Sequence, residues 1–385
     1  MSSKVFDYII VGSGASGLQL AMAFVRDDYF RDKSIGIIEK RRSFTNDKTW
    51  SFWEIGSGLY DDIIYKSWKK GQFTACGETI DLDLGEYNYK MLRSIDFYNY
   101  AESIINESKN IEWIQDEISF IDEQKNIVAL TGKQSYKAKH VFDSRLPDNF
   151  KPTESLNILQ HFKGWFIETD EDVFTPESFD MMDYSIGDKS KTCFMYVLPF
   201  TKRKGFVEFT YFSPELVDDQ TYDKYIKSYL SDKLGVENYS VSETEKGIIP
   251  MSSYPFYRQN FSKITKIGTA GGWVKASTGY SFKNAERFAL KIVDNIKAGK
   301  IPHSNLHKKR FKHYDKLFLD VLLNYNAYGE KLFYKMYKKN SIYDIFNFLD
   351  DESHIIQELK IIISMTSHHF IKALIKHALS GFRIK

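Results

Sequence analysis

Val5-Phe6-Asp7-Tyr8-Ile9-Ile10-Val11-Gly12-Ser13-Gly14-Ala15-Ser16-Gly17 is the stretch that decides the fold. Seven β-prone residues run directly into Gly-x-Gly-x-x-Gly, and Leu18 to Val25 then read as a helix. Ser34-Ile35-Gly36-Ile37-Ile38 reads as the next strand, and Glu39 closes it 22 residues after Gly17. A lone glycine motif is weak evidence, but strand, turn, helix, strand and acid in this order form a dinucleotide site. Gly12 allows the tight turn, Gly14 lets the backbone approach a pyrophosphate, and Gly17 lets the helix pack on the sheet. The free N–H groups and positive dipole end of the helix face the phosphates. Glu39 is placed to accept from ribose hydroxyls.

A second glycine-rich element, Ile267-Gly268-Thr269-Ala270-Gly271-Gly272, follows a short strand from Ile264 and precedes a helix near Asn284. An N-terminal motif with a distant glycine turn favours FAD over NAD as the resident cofactor. Between them, residues 68–90 alternate as in β hairpins, 94–107 read as a helix, and 111–142 as several strands ending at Val141-Phe142-Asp143. Residues 155–260 change character, with aromatic and β-branched runs at Thr192 to Phe200 and Lys204 to Phe212 that read as a second, antiparallel sheet. From 301 the chain reads as helical. No linker separates these regions. The expected fold is therefore α/β: a Rossmann-type FAD-binding domain (1–150 and 260–300), an inserted antiparallel β-sheet substrate domain (151–259), and a helical C-terminal region (301–385).

Bulk properties narrow the function classes. The 53 basic and 51 acidic residues nearly cancel, so no global field favours nucleic acid. Two cysteines, Cys76 and Cys193, leave no disulfide framework or cysteine-rich metal site and fit a reducing compartment. No zinc-ligand spacing is present, and no metal is expected. No secretory signal or membrane-spanning run is evident, so the expected location is cytoplasmic with peripheral membrane contact. The 30 Phe and 25 Tyr suit a pocket for a long apolar or cationic ligand, and are equally what an AT-rich genome produces. Residues 301–385 carry 14 Lys and Arg against 8 Asp and Glu, with apolar residues such as Ile361, Ile362, Met365, Phe370, Leu374 and Ile375 at helical spacing. That pattern fits docking on anionic lipid, or a helical subdomain with solvated charges.

Several stretches together resemble the lycopene cyclases, specifically the FAD-dependent lycopene β-cyclases of bacterial type. They are Asp7 to Gly17; Asn46-Asp47-Lys48-Thr49-Trp50-Ser51-Phe52-Trp53; Gln160 to Trp165; Met182-Asp183; Leu198-Pro199-Phe200; Val207-Glu208-Phe209-Thr210; Glu245-Lys246-Gly247-Ile248-Ile249-Pro250; and Ile267 to Ser281, ending Ser277-Thr278-Gly279-Tyr280-Ser281. The resemblance spans residue 7 to about 282. It implies a flavoprotein that cyclises the acyclic ends of lycopene to β-ionone rings, giving γ- and then β-carotene, without net redox. The flavin acts reduced, with NAD(P)H as the expected reductant. The cofactor-binding candidates are Gly12, Gly14, Ala15, Gly17, Glu39, Lys40, Thr49, Trp50, Gly271, Gly272, Thr278 and Gly279.

Cyclising an unactivated alkene needs an acid that keeps its proton near neutral pH, which a carboxyl in an apolar pocket does. Glu208 occupies the family's acidic position. On an alternating strand it shares a face with Phe206 and Thr210. The family often carries a second acid directly after it, where Phe209 stands here. Trp50, Trp53, Trp165 and Trp273 are candidate π faces for the carbocation. The final base is open: flavin, Glu208 itself or another residue. The rival readings are an FAD-dependent monooxygenase or reductase acting on a prenyl substrate, and a non-enzymatic carotenoid or flavin carrier.

Overall fold

The computed structural model describes residues 5–41, 43–125, 127–147, 150 and 155–381. The opening strand Val5–Val11 is central in a seven-stranded sheet, parallel to Ile35–Glu39 on one side and to Ser135–Asp143 on the other. Ile111–Gln115 and Ile264–Lys266 add parallel strands, while Val128–Thr131 and Phe120–Glu123 continue it antiparallel. Strands covered on both faces are continuously apolar, and Ile9, Ile10, Ile35 and Ile37 are fully buried. The helices Ala15–Val25, Ser94–Asn106 and Phe282–Lys297 supply one covering layer through Leu18, Met22, Phe97, Ala285 and Ile292.

A second seven-stranded sheet has the spatial order Tyr239–Ser252, Asn157–Thr169, Lys204–Ser213, Thr192–Pro199, Ser178–Asp183, Lys70–Ala75, Glu78–Asp83. Helix Asp219–Ser228 covers one face, where Val207, Phe209 and Tyr211 meet Tyr222 and Ile226. The C-terminal helices pack toward the other, through Phe311, Phe318, Leu322, Phe333, Met336 and Phe346. Burial on both faces explains why the strand Phe206-Val207-Glu208-Phe209-Thr210-Tyr211-Phe212 shows almost no polar alternation. A small three-stranded sheet, Thr49–Ile55, Tyr87–Arg93 and Lys66–Trp68, completes the strands.

The hairpin Lys70–Asp83 falls within the expected first domain yet joins the second sheet, and it does so by a parallel pairing of Lys70–Ala75 with Ser178–Asp183, so that sheet is mixed. The reason is packing. The Phe73 ring stacks on Tyr337 at 4.3 Å, and Gly71 gives room to Phe179, whose ring a Cβ would approach to 2.7 Å. Alternation reveals that a hairpin exists but not which sheet it will complete. The expected boundary at 150/151 lies at residues 148–154, where Phe150 alone belongs to the described residues.

Candidate functional site

The strand Val5–Val11 ends at Gly12, whose φ of +93° is open to glycine but strained for other residues. A Cβ there would also meet Ser144 Oγ at 2.1 Å. Gly17 is equally constrained, since its Cβ would lie 2.1 Å from the Gly12 carbonyl oxygen, so the helix can approach the turn this closely only through glycine. Gly14 differs. It forms the N-cap of helix Ala15–Val25, and a Cβ at Gly14 meets nothing within 4 Å. Two glycines close the turn, while the third faces open space before a helix N-terminus, as a phosphate cradle requires. Glu39 accepts from the Ser13 N–H at 2.8 Å and the Ser13 hydroxyl at 2.7 Å, so its carboxylate is bound to the turn itself. Hydrogen bonds from Ser13 and Arg41 outweigh its burial and hold its pKa below the usual carboxylate value.

A cavity of about 580 Å³ runs from this turn to Glu208. Gly14, Ala15 and Gly17 line it at this turn, Phe206, Glu208, Thr210 and Phe212 line it on the second sheet, and Thr49, Trp50, Thr278 and Gly279 also belong to its wall. Several polar atoms on its wall have no protein partner: Gln160 Oε1, Trp273 Nε1 and Thr278 Oγ1. Buried polar groups are nearly always satisfied, so these atoms call for a polar ligand. Together with the cradle at Gly14 they fit a bound dinucleotide.

Other candidates fall outside the cavity. Lys40 is exposed and pairs with Glu117 at 3.1 Å. Gly271 and Gly272 face a separate cleft, and Gly268 and Thr269 line the cavity in their place. The cause is a short helical turn over Gly268–Gly271 that closes on Gly272 at φ +70° and swings the glycine pair outward. Trp50 and Trp273 reach the wall. Trp53 instead stacks on Phe346 at 4.2 Å and donates to Asp350, and Trp165 lies in the core on the opposite face of its strand.

At the far end Glu208 is 8% exposed and accepts from the Thr210 hydroxyl at 2.5 Å. Burial pushes its pKa up to about 8; the Thr210 hydrogen bond offsets part of this and the nearby Glu245 charge adds to it. Glu245 is the site residue that sequence reasoning missed. It too is 8% exposed, and it sits opposite Gly164 on one side of strand Asn157–Thr169 while Glu208 sits opposite Gly164 on the other. The second carboxylate absent at Phe209 is therefore supplied by another strand. Burial raises the Glu245 pKa to about 6, held there by hydrogen bonds from Thr49, whose backbone N–H donates at 3.0 Å. The sequence signal was its place at the head of Glu245-Lys246-Gly247-Ile248-Ile249-Pro250, a stretch that carries the family resemblance without marking this residue.

The profile of the lycopene cyclase family, described as lycopene cyclase protein, matches residues 7–375, nearly the whole chain. The chain belongs to the lycopene cyclase family. Among solved structures, it is similar to a geranylgeranyl bacteriochlorophyll reductase-like protein from Thermoplasma acidophilum. The TM-score is 0.62 at 12% identity, over 96% of this chain and 98% of that one. A flavoprotein/dehydrogenase from Cytophaga hutchinsonii gives TM-score 0.59 at 12% identity, over 98% of this chain and 100% of that one. A variant of the halogenase PltM in complex with FAD gives 0.54 at 12% identity, over 90% and 79%. No curated protein matches significantly. The cyclase family member thus has the fold of flavoproteins, mixed α/β with a helical C-terminal region.

Proposed function

We propose that this chain is a lycopene β-cyclase that works with reduced FAD and closes the acyclic ends of lycopene into β-ionone rings. The observation that carries this is a buried carboxyl, Glu208, lining the same cavity as a dinucleotide cradle, where burial raises its pKa to about 8. Gly14 and Ala15 would receive the pyrophosphate at the helix N-terminus, with Thr49, Trp50, Thr278 and Gly279 along the remainder of the cofactor. Reduced FAD held there would supply negative charge able to stabilise a carbocation. Glu208 gives its proton to the terminal double bond, and Thr210 fixes the carboxyl orientation. The aromatic faces of Phe162, Tyr196 and Phe206 on the wall stabilise positive charge and exclude water. NAD(P)H is the proposed source of electrons for the flavin.

Lycopene is an apolar hydrocarbon, and we propose that the protein meets it at a membrane surface on the cytoplasmic side. No helix among the described residues is long and apolar enough to cross a membrane. The helix Ile355–Met365 instead exposes Ile355, Ile356, Leu359 and Ile363, and the following helix exposes Ile371, Leu374 and Ile375. Such a face fits shallow insertion at the headgroup boundary.

The test supplies lycopene with chemically reduced FAD and follows the pigment by mass and absorbance. The expected product has the mass of lycopene and carries new rings. A product differing by hydrogen or oxygen would establish the redox rival, and no product at all the carrier. Glu208→Gln should lower ring formation about 10²–10⁴-fold while retaining FAD, and Glu208→Asp should keep a trace.

A further inference from the structure

Protonation and ring closure leave a carbocation, and the reaction ends only when a neighbouring C–H bond gives up its proton. We infer that Glu245 is the base that accepts this proton, set on the same sheet face as Glu208 with Gly164 between their backbones. The inference rests on the cyclase reading above.

Residues directly opposite one another in paired strands project to the same face. Glu208 and Glu245 both pair with Gly164 from flanking strands, so both point to one side of the sheet, and both line the cavity. Strands are about 4.8 Å apart, which puts the two Cα atoms roughly 10 Å from each other with the glycine between them. Gly164 leaves its side-chain space to the Phe206 ring, which a Cβ there would overlap, and that Cβ would also lie 3.1 Å from Glu208 Cβ.

The two environments divide the roles. Glu208 is buried among aromatic side chains, which favours its neutral form, and the single Thr210 hydroxyl hydrogen bond offsets only part of that. Glu245 accepts a backbone N–H from Thr49, a donor that cannot turn away and that favours the anion, with Lys48 adding positive charge nearby. A pair of carboxyls whose surroundings push their proton affinities apart is the usual arrangement of an acid and a base in one site.

The step balances without an outside reagent. The O–H bond of Glu208 breaks and its proton forms a C–H bond at the terminal alkene. The cation left behind is attacked by the next double bond, which forms the ring C–C bond. A ring C–H bond then breaks, its electron pair becomes the ring double bond, and Glu245 takes the proton. Return of that proton to Glu208 through water entering after product release restores the starting state.

The cyclised cation has three neighbouring carbons that carry hydrogen, and only one gives the β ring. Position of the base therefore sets the ring type. The experiment uses flavin-loaded Glu245→Gln and Glu245→Asp with lycopene and chemically reduced FAD in deuterated water. The expected result for Glu245→Gln is at least a ~10-fold fall in β-ring product. It should be accompanied by ring isomers with the double bond elsewhere, or by deuterium in recovered lycopene from protonation that cannot be completed. Glu245→Asp should restore part of the β-ring product. Glu208→Gln should show neither isomers nor deuterium. β rings as the sole product of Glu245→Gln, with no deuterium in recovered lycopene, would overturn the assignment, as would absence of both product and exchange. Failure of the wild type to cyclise lycopene would instead defeat the cyclase reading itself.

Discussion

Replacing Glu208 with Gln should make the protein more stable in weak alkali, and the gain can be worked from burial. Glu208 has its pKa raised from 4.5 to about 8, with burial as the largest cause. A carboxyl whose folded value lies above its unfolded value takes up a proton on folding. Its contribution is therefore fully present below the unfolded pKa and is lost as pH rises through the folded one. The slope is about 1.4 kcal/mol per pH unit, so the wild type should lose on the order of 4 kcal/mol relative to a non-titrating side chain between about pH 4.5 and pH 8. Gln keeps the shape and can still accept from Thr210, so packing changes little. Urea unfolding of flavin-free wild type and Glu208→Gln, followed by tryptophan fluorescence at several pH values, measures the difference directly. The gap should widen steadily with pH in favour of the variant. Parallel curves would refute the claim that Glu208 is neutral because it is buried.

Three further outcomes follow from the same geometry. Gly14→Val should fold normally yet lose FAD, because its side chain enters open space where the phosphate belongs, whereas Gly17→Val should fail to fold because its Cβ meets the Gly12 carbonyl; flavin content and circular dichroism of both separate the two. Ring formation should show a bell-shaped pH profile, falling about tenfold per unit below about pH 6 as Glu245 gains a proton and again above about pH 8 as Glu208 loses one; a flat initial-rate profile would contradict the paired roles. Ile356→Asp with Ile363→Asp, at positions 71% and 68% exposed, should weaken sedimentation with phosphatidylglycerol vesicles at least ~10-fold, since each inserted aliphatic side chain is worth about 1.5–3 kcal/mol. Unchanged sedimentation would move the docking face elsewhere.

The dinucleotide half of the site was readable because its information is local. Strand, glycine turn and helix are consecutive, and the steric demands on Gly12 and Gly17 act within a few residues. Glu208 was singled out by the family resemblance, and alternation added only that it shares a face with Phe206 and Thr210. Glu245 was not readable, because its position depends on a register across strand Asn157–Thr169, set by pairing between residues about 80 apart in the chain. The hairpin Lys70–Asp83 was misplaced for the same reason. The outward swing of Gly271-Gly272 also escaped, since a glycine pair fits a phosphate turn and a tight helical stop equally well. Trp53 and Trp165 show that a tryptophan in a distinctive motif still follows the face its strand gives it.

The hairpin carries one more consequence, for the time course of synthesis. Its pairing partner, Ser178–Asp183, begins 95 residues after Asp83. At ribosomal rates of about 5–20 residues per second, that partner emerges roughly 5–20 s later. Until then two strands bearing Phe73 and Leu82 wait with a free edge, the condition that invites pairing with other chains. The hairpin carries its own protection. Lys70, Glu78, Asp81 and Asp83 spread charge of both signs along it, at positions that end exposed or half-buried in the folded protein. Replacing Asp81 and Asp83 with Asn would leave the finished fold nearly untouched, yet it should cost soluble yield during expression, a penalty suffered by the nascent chain and invisible in the native state.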